Sequence, residues 1–149
     1  MSLRVKVVIL VICLLAVYIL AQYLRSRYYV RIGIGLAEQA VAYEQHPAAP
    51  SARILVIGDS TAVGTGATTP QDSTAGLLGR DYPAAEIINR GVNGSRVADL
   101  TTRFAEFTND EFDVVLVQIG GNDIVRFTDY AALEQNLHTV LAEAQRVGK

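Results

Sequence analysis

The 149-residue sequence is poor in the residues that bind metals or form cross-links: it has one cysteine and two histidines. The cysteine, Cys13, lies inside an apolar N-terminal run, so no disulfide and no cysteine-ligated metal site can form in the rest of the chain. His46 and His138 stand far apart and outside any H-x-x-x-H or H-E-x-x-H arrangement, which removes the usual zinc patterns and leaves both with structural or solvent positions. Charge is also sparse. With 13 basic and 15 acidic residues, a net charge of −2 and no basic block after the apolar run, the chain lacks the electrostatic footprint of a nucleic-acid binder. Apolar residues make up 50%, which excludes a disordered chain and leaves a membrane or globular protein. No internal repeat or low-complexity tract occurs.

The longest uncharged stretch runs from Val7 to Leu24, VVILVICLLAVYILAQYL. At 1.5 Å per residue it reaches about 27 Å, close to the hydrocarbon thickness of a bilayer. It is longer than the h-region of a signal peptide, and no small-x-small cleavage site follows, so residues 1–24 read as an uncleaved single-pass anchor. Tyr18, Tyr23, Tyr28 and Tyr29 lie in or beyond its later part, where interfacial aromatic rings are favoured. Arg4, Lys6 and the amino terminus are balanced by Arg25, Arg27 and Arg31, so charge does not decide the orientation. Residues 25–52 form a juxtamembrane segment and linker. Gly33 and Gly35 weaken a continued helix there, Ala37–Tyr43 can form a short one, and HPAAPSAR, residues 46–53, closes the segment.

Residues 53–149 have the length of one domain. Arg53–Ile57, Glu86–Asn89 and Asp113–Ile119 are short apolar runs that end near glycine, as buried strands do. Between them, Asp72 or Ser73 caps a helix through Leu78, while Val97, Leu100, Phe104 and Phe107 share one helical face. A third helix, from about Thr128 to Val147, carries an apolar stripe of Leu133, Leu137, Val140, Leu141 and Ala144. Alternating strands and helices predict an α/β fold with a parallel sheet and right-handed crossovers. The glycine of Val147-Gly-Lys149 turns the backbone toward a further strand, so the natural fold is expected to continue, with later strands and helices missing here and an exposed edge at VVLVQI.

In open α/β sheets, ligands bind at the carboxyl ends of the strands. Three polar turns occupy those ends: Gly58-Asp59-Ser60, Asn89-Arg-Gly-Val-Asn-Gly94 and Gly120-Gly121-Asn122-Asp123. Their convergence would gather a hydroxyl, free backbone N–H groups and a side-chain amide, which is an acyl-transfer constellation. Gly58, Gly64 and Gly66 do not make a phosphate loop, because the lysine of G-x-x-x-x-G-K-[ST] is absent and the G-x-G-x-x-G spacing fails. Asp59 and Asp123 read as turn or capping residues.

The blocks ILVIGDST (Ile54–Thr61), NRGVNG (ending at Gly94) and GGND (Gly120–Asp123), with 34 positions from Ser60 to Gly94 and 28 from Gly94 to Asn122, resemble the SGNH (GDSL) hydrolases. The resemblance implies a three-layer α/β/α, flavodoxin-like fold and an extracytoplasmic domain. It also implies hydrolysis of carboxylic esters (lipids, acylated carbohydrates or small acyl esters) through an acyl-serine intermediate, with no cofactor. Ser60 would be the nucleophile, and Ser60 N–H, Gly94 N–H and the Asn122 amide the oxyanion donors.

Serine also needs a base oriented by an acid. The family supplies both from a D-x-x-H block, which does not occur in these 149 residues. His138 lies mid-helix off the apolar stripe and His46 precedes the first strand, so neither is expected to serve Ser60. The chain alone is therefore expected to be inactive. The competing reading is an inert membrane-tethered binding module that retains the oxyanion pocket.

Overall fold

The computed structural model describes residues 1–109 and 111–149, and the chain divides into two units, Met1–Glu38 and Gln39–Lys149. Helix α1 (Leu3–Gln39) contains an 18-residue window of mean hydropathy 2.7, and none of its residues is buried. By length and composition it can cross a membrane. It continues through Gly33 and Gly35, where the sequence predicted weakening. Each glycine costs an interior helix about 1 kcal/mol, and a helix already nucleated over the preceding turns extends through such a local penalty. The separate short helix expected over Ala37–Tyr43 does not form. Its first residues end α1, and the chain becomes extended enough for Gln45 to exchange two backbone hydrogen bonds with Ile87, at 3.0 and 2.8 Å.

In the second unit, strands β1 (Ala52–Gly58), β2 (Ala85–Gly91) and β3 (Val114–Gln118) form a parallel sheet in the order β2-β1-β3, with Ile54 opposite both Ile87 and Val114. The three predicted strands are these three. β1 is central, and its side chains alternate between two cores, as the strand period of two requires. Leu55 and Ile57 pack with Val97, Leu100, Phe104, Phe112, Val140 and Val147 on one face, and Ile54 and Val56 pack with Ala62, Ala75 and Ile87 on the other.

Helix α2 (Ser60–Val63) follows β1 directly, and α3 (Thr74–Asp81) begins at the predicted cap, with Ser73 Oγ accepting from Gly76 N at 3.1 Å. α4 (Val97–Phe104) buries Val97, Leu100 and Phe104. Phe107 lies beyond the helix end yet remains buried, edge-on to Phe112 at 5.4 Å. The short helix α5 (Gly121–Val125) follows β3 and precedes α6 (Tyr130–Val147). The α6 stripe differs from expectation: Leu133, Val140, Ala144 and Val147 face the core, while Leu137 and Leu141 are exposed.

On the α3 side the sheet is only partly covered. Ile54, Leu78, Tyr82, Pro83, Val114 and Leu116 line an open apolar groove of about 610 Å³ near the amino ends of the strands.

Candidate active site

All three polar turns lie at the carboxyl ends of the strands. Ser60 is the first residue of α2, half-buried, and among the described residues neither its N–H nor its Oγ has a hydrogen-bond partner. Its position is set by its neighbours. Asp59 is buried; its Oδ1 accepts from Thr61 N at 2.8 Å and its N–H donates to Gln118 O at 2.9 Å, which fixes the start of α2 against β3. Gly58 permits this approach, since a Cβ there would lie 1.9 Å from Gln118 O.

The second turn is tied to the first by Val92 N–H donating to Gly58 O at 3.0 Å. Gly94 sits at φ +80°, a left-handed conformation that favours glycine, and a Cβ there would come no nearer than 3.6 Å to Arg126 Nη2. The constraint at Gly94 is therefore conformational, whereas at Gly58 it is steric. The third turn joins the second through Asn122, whose Nδ2 donates to Ser95 O at 3.0 Å. One hydrogen of that NH₂ group is used in this bond, and the second can serve a ligand.

The acidic residues of these turns serve as caps, as expected. Asp123 is buried, and its Oδ2 accepts from Val97 N at 2.9 Å, so it caps α4 and locks α5, which carries Asn122, to the helix that follows Gly94.

Three further residues that the sequence did not single out complete the assembly. Asn89 joins β2 to α2, with Nδ2 donating to Ala62 O at 2.8 Å and Oδ1 accepting from Gly91 N at 2.9 Å. Buried Ser95 donates through Oγ to Val92 O at 2.8 Å and accepts from Arg103 Nη2 at 2.7 Å. Arg103 Nη1 donates to Arg90 O at 3.3 Å and reaches Gly58 O at 3.5 Å, so one guanidinium spans the ends of β1 and β2 and the Gly94 turn. Ser95 adjoins the recognised block, but nothing local marks Arg103, whose reach depends on α4 folding back across the strand ends.

The histidines lie elsewhere. His46 Nδ1 is 3.5 Å from Glu86 Oε1, and its Nε2 is 3.5 Å from Glu44 Oε2. Glu86 flanks Arg53, five residues before Gly58 along β1, which places this cluster about 16 Å from the Ser60 end at the usual strand rise. Arg53 Nε donates to Glu86 Oε2 at 2.8 Å, and this bond, ahead of an opposing effect of burial, holds the Glu86 carboxyl below its ordinary pKa. Burial raises the pKa of Glu44, but hydrogen bonds from Asn89 N and Arg90 outweigh it and leave the group lowered. His138 is exposed on α6, beside Leu137 and Leu141. Among the described residues, no three histidine, cysteine or acidic side chains cluster as metal ligands.

The model of the GDSL-like lipase/acylhydrolase family matches residues 56–149. Among solved structures, AlinE4, described as an SGNH-hydrolase family esterase, is 34% identical with a TM-score of 0.55, covering 64% of this chain and 54% of that one. A variant of Axe2, an acetyl xylan esterase from Geobacillus stearothermophilus, is 26% identical with a TM-score of 0.52, covering 67% and 57%. The psychrotrophic esterase EstA from Pseudoalteromonas sp., 24% identical, shares the fold with a TM-score of 0.56 and coverage of 65% and 55%. The chain thus spans about half the length of these proteins. No curated protein sequence matches it significantly.

Proposed function

The chain belongs to the GDSL-like lipase/acylhydrolase family, and on that premise we propose that residues 53–149 hold a carboxylic ester for attack by Ser60. Ser60 Oγ adds to the carbonyl carbon while a base takes its proton. The resulting oxyanion receives hydrogen bonds from Ser60 N–H, Gly94 N–H and the free hydrogen of Asn122 Nδ2. Collapse of the adduct breaks the ester C–O bond and expels the alcohol, and water then hydrolyses acyl-Ser60. No cofactor enters these steps. The observation that most supports this reading is the Asn122–Ser95 hydrogen bond at 3.0 Å, which links the Asn122 amide to the turn that presents Gly94.

The base and its orienting acid are not drawn from these 149 residues, which contain no D-x-x-H and whose two histidines lie away from Ser60. The chain alone is therefore proposed to be inactive. Substrates on this reading are lipids, acylated carbohydrates or small acyl esters, a range that includes the class named for Axe2. Helix α1 would anchor the protein, with the globular unit on the extracytoplasmic side.

The test has two arms. The 149-residue chain should turn over p-nitrophenyl acetate no faster than its Ser60→Ala variant. At alkaline pH, where hydroxide replaces the missing base, one acetyl group should accumulate on Ser60 and be found by peptide mass spectrometry. Loss of the Asn122 donor in Asn122→Ala should slow that acylation by roughly 10²–10³. Acetylation confined to Lys6 and Lys149 would refute Ser60 as the nucleophile, and Ser60-dependent turnover at neutral pH would refute the account of the missing base.

A further inference from the structure

Residues 43–45 lie outside the family match, which begins at residue 56, yet they are seated on the edge of the sheet. Alternate N–H groups of a strand point to the same side. Along β2, the edge strand away from β3, those of Ala85, Ile87, Asn89 and Gly91 all find partners outside the β1–β2 ladder. Ala85 N–H donates to Tyr82 O at 3.0 Å and Ile87 N–H to Gln45 O at 2.8 Å. In a continued antiparallel ladder the next rung would fall to the backbone of Tyr43, but the Glu44 carboxylate takes its place: Asn89 N–H donates to Glu44 Oε1 at 3.2 Å. Gly91 N–H then donates to Asn89 Oδ1 at 2.9 Å. An edge whose donors are satisfied in this way is blunted against pairing with another chain.

Side chains hold these residues as well. Gln45 Nε2 donates to Ala85 O at 2.7 Å and to Tyr82 O at 3.1 Å, and Tyr43 packs so closely on α3 that a Cβ on Gly79 would lie 2.6 Å from its Cε1. What the seat does follows from where Glu44 leads. Asn89, opposite Val56 of β1, is buried, and its Nδ2 donates to Ala62 O in α2, the helix that Ser60 begins. Arg90 Nη1 donates to the same Glu44 oxygen at 2.5 Å, and Arg90 O accepts from Arg103, whose Nη2 donates to Ser95 beside Gly94. One carboxylate oxygen thus joins the two residues through which β2 grips the site. We propose that Glu44 is a positioning residue for Ser60 and that residues 43–45 are an integral strap of the hydrolase domain, so that the segment leading from α1 braces the active site and is no passive linker. Its consequence for catalysis rests on the reading of Ser60 as nucleophile; the strap itself does not.

Two measurements on the full chain in detergent micelles test this. Amide exchange at neutral pH reads the strap without reference to catalysis. In Glu44→Ala, the amides of Asn89, Val63 and Gly64, the last two bonded to Asp59 O and Ser60 O, should exchange about tenfold faster, while that of Val140 in α6 keeps its rate. Glu44→Gln retains an acceptor oxygen and should restore protection to within about twofold. The second measurement is acetylation of Ser60 at alkaline pH, which should slow about tenfold in Glu44→Ala and recover in Glu44→Gln. Unchanged exchange at Val63 and Gly64 in Glu44→Ala overturns the proposal, as does a loss of protection that Glu44→Gln leaves unrepaired. A brace with no part in positioning would lower the urea midpoint yet leave Ser60 acetylated at one rate in all three chains, and that result also overturns it. If Ser60 is acetylated in none of them, the unaltered chain included, the reading of Ser60 as nucleophile fails and exchange alone decides the strap.

Discussion

Replacing Gly58 with alanine should be among the most damaging single-methyl changes in this protein. A Cβ at that position would stand 1.9 Å from Gln118 O, 2.7 Å from Gln118 C and 3.1 Å from the Ala62 Cβ. The first two atoms are backbone of the paired strand and cannot rotate away. Bringing the closest approach from 1.9 Å to the 3.4 Å at which ordinary contact begins requires β1 and β3 to part by about 1.5 Å at this end. The Asp59 N–Gln118 O bond, now 2.9 Å, cannot survive that movement. Overpacking of this kind costs about 1–3 kcal/mol and the lost hydrogen bond about 1 kcal/mol more, so a destabilisation of about 3 kcal/mol is expected. With an m-value of about 1.5–2 kcal/mol/M, the urea midpoint should fall by about 1.5–2 M. The measurement is urea unfolding of the full chain in detergent micelles, followed by near-ultraviolet circular dichroism. Gly33→Ala, whose Cβ meets nothing within 4 Å, should leave the midpoint of the globular unit unchanged. An unshifted midpoint for Gly58→Ala would refute the reasoning that the nucleophile turn is held against β3 by backbone contact.

Asp123→Ala removes the acceptor from Val97 N–H and should cost about 1–2 kcal/mol, as loss of a helix cap does, with faster amide exchange at Val97 as its specific signature. Phe104→Ala empties a fully buried ring position between α4 and the sheet and should cost about 3–5 kcal/mol by urea unfolding, a large share of the stability of a domain this size. Glu86 contributes to the acid dependence, alongside Glu44 and Asp113, whose carboxyls are also held low. Its folded pKa lies below the ordinary 4.5, so the unfolded chain binds the proton more readily; the stabilisation is present above about pH 4.5 and is lost as pH falls through the folded value. The urea midpoint should drop on acidification through that window, and Arg53→Gln should flatten the drop.

Much of this was legible in the sequence because it depends on neighbours along the chain. The uncharged run Val7–Leu24, the three glycine-ended strands and the Ser73 cap are patterns of period, composition or spacing within a few residues. The turns bearing Ser60, Gly94 and Asn122 could be placed at the strand ends for the same reason, since strand and helix alternate in order.

What remained hidden depends on residues far apart in sequence meeting in space. Helical propensity assigned Ala37–Tyr43 to a short helix, but Gln45 instead bonds to Ile87, because an unpaired edge of β2 offers backbone partners that no local signal reveals. Leu137 and Leu141 belonged to the helical stripe by period, yet they are exposed, because burial depends on which neighbours the fold brings against each part of the stripe. Asp123 was recognised as a cap without its helix, which is α4 and not its own. Arg103 carried no mark until α4 brought its guanidinium over Ser95, Arg90 and Gly58. The sequence by itself determined which groups stand at the strand ends, since that follows from local order. Only the tertiary structure decided how they are held to one another, because hydrogen bonds between separate turns form only once the crossovers have closed.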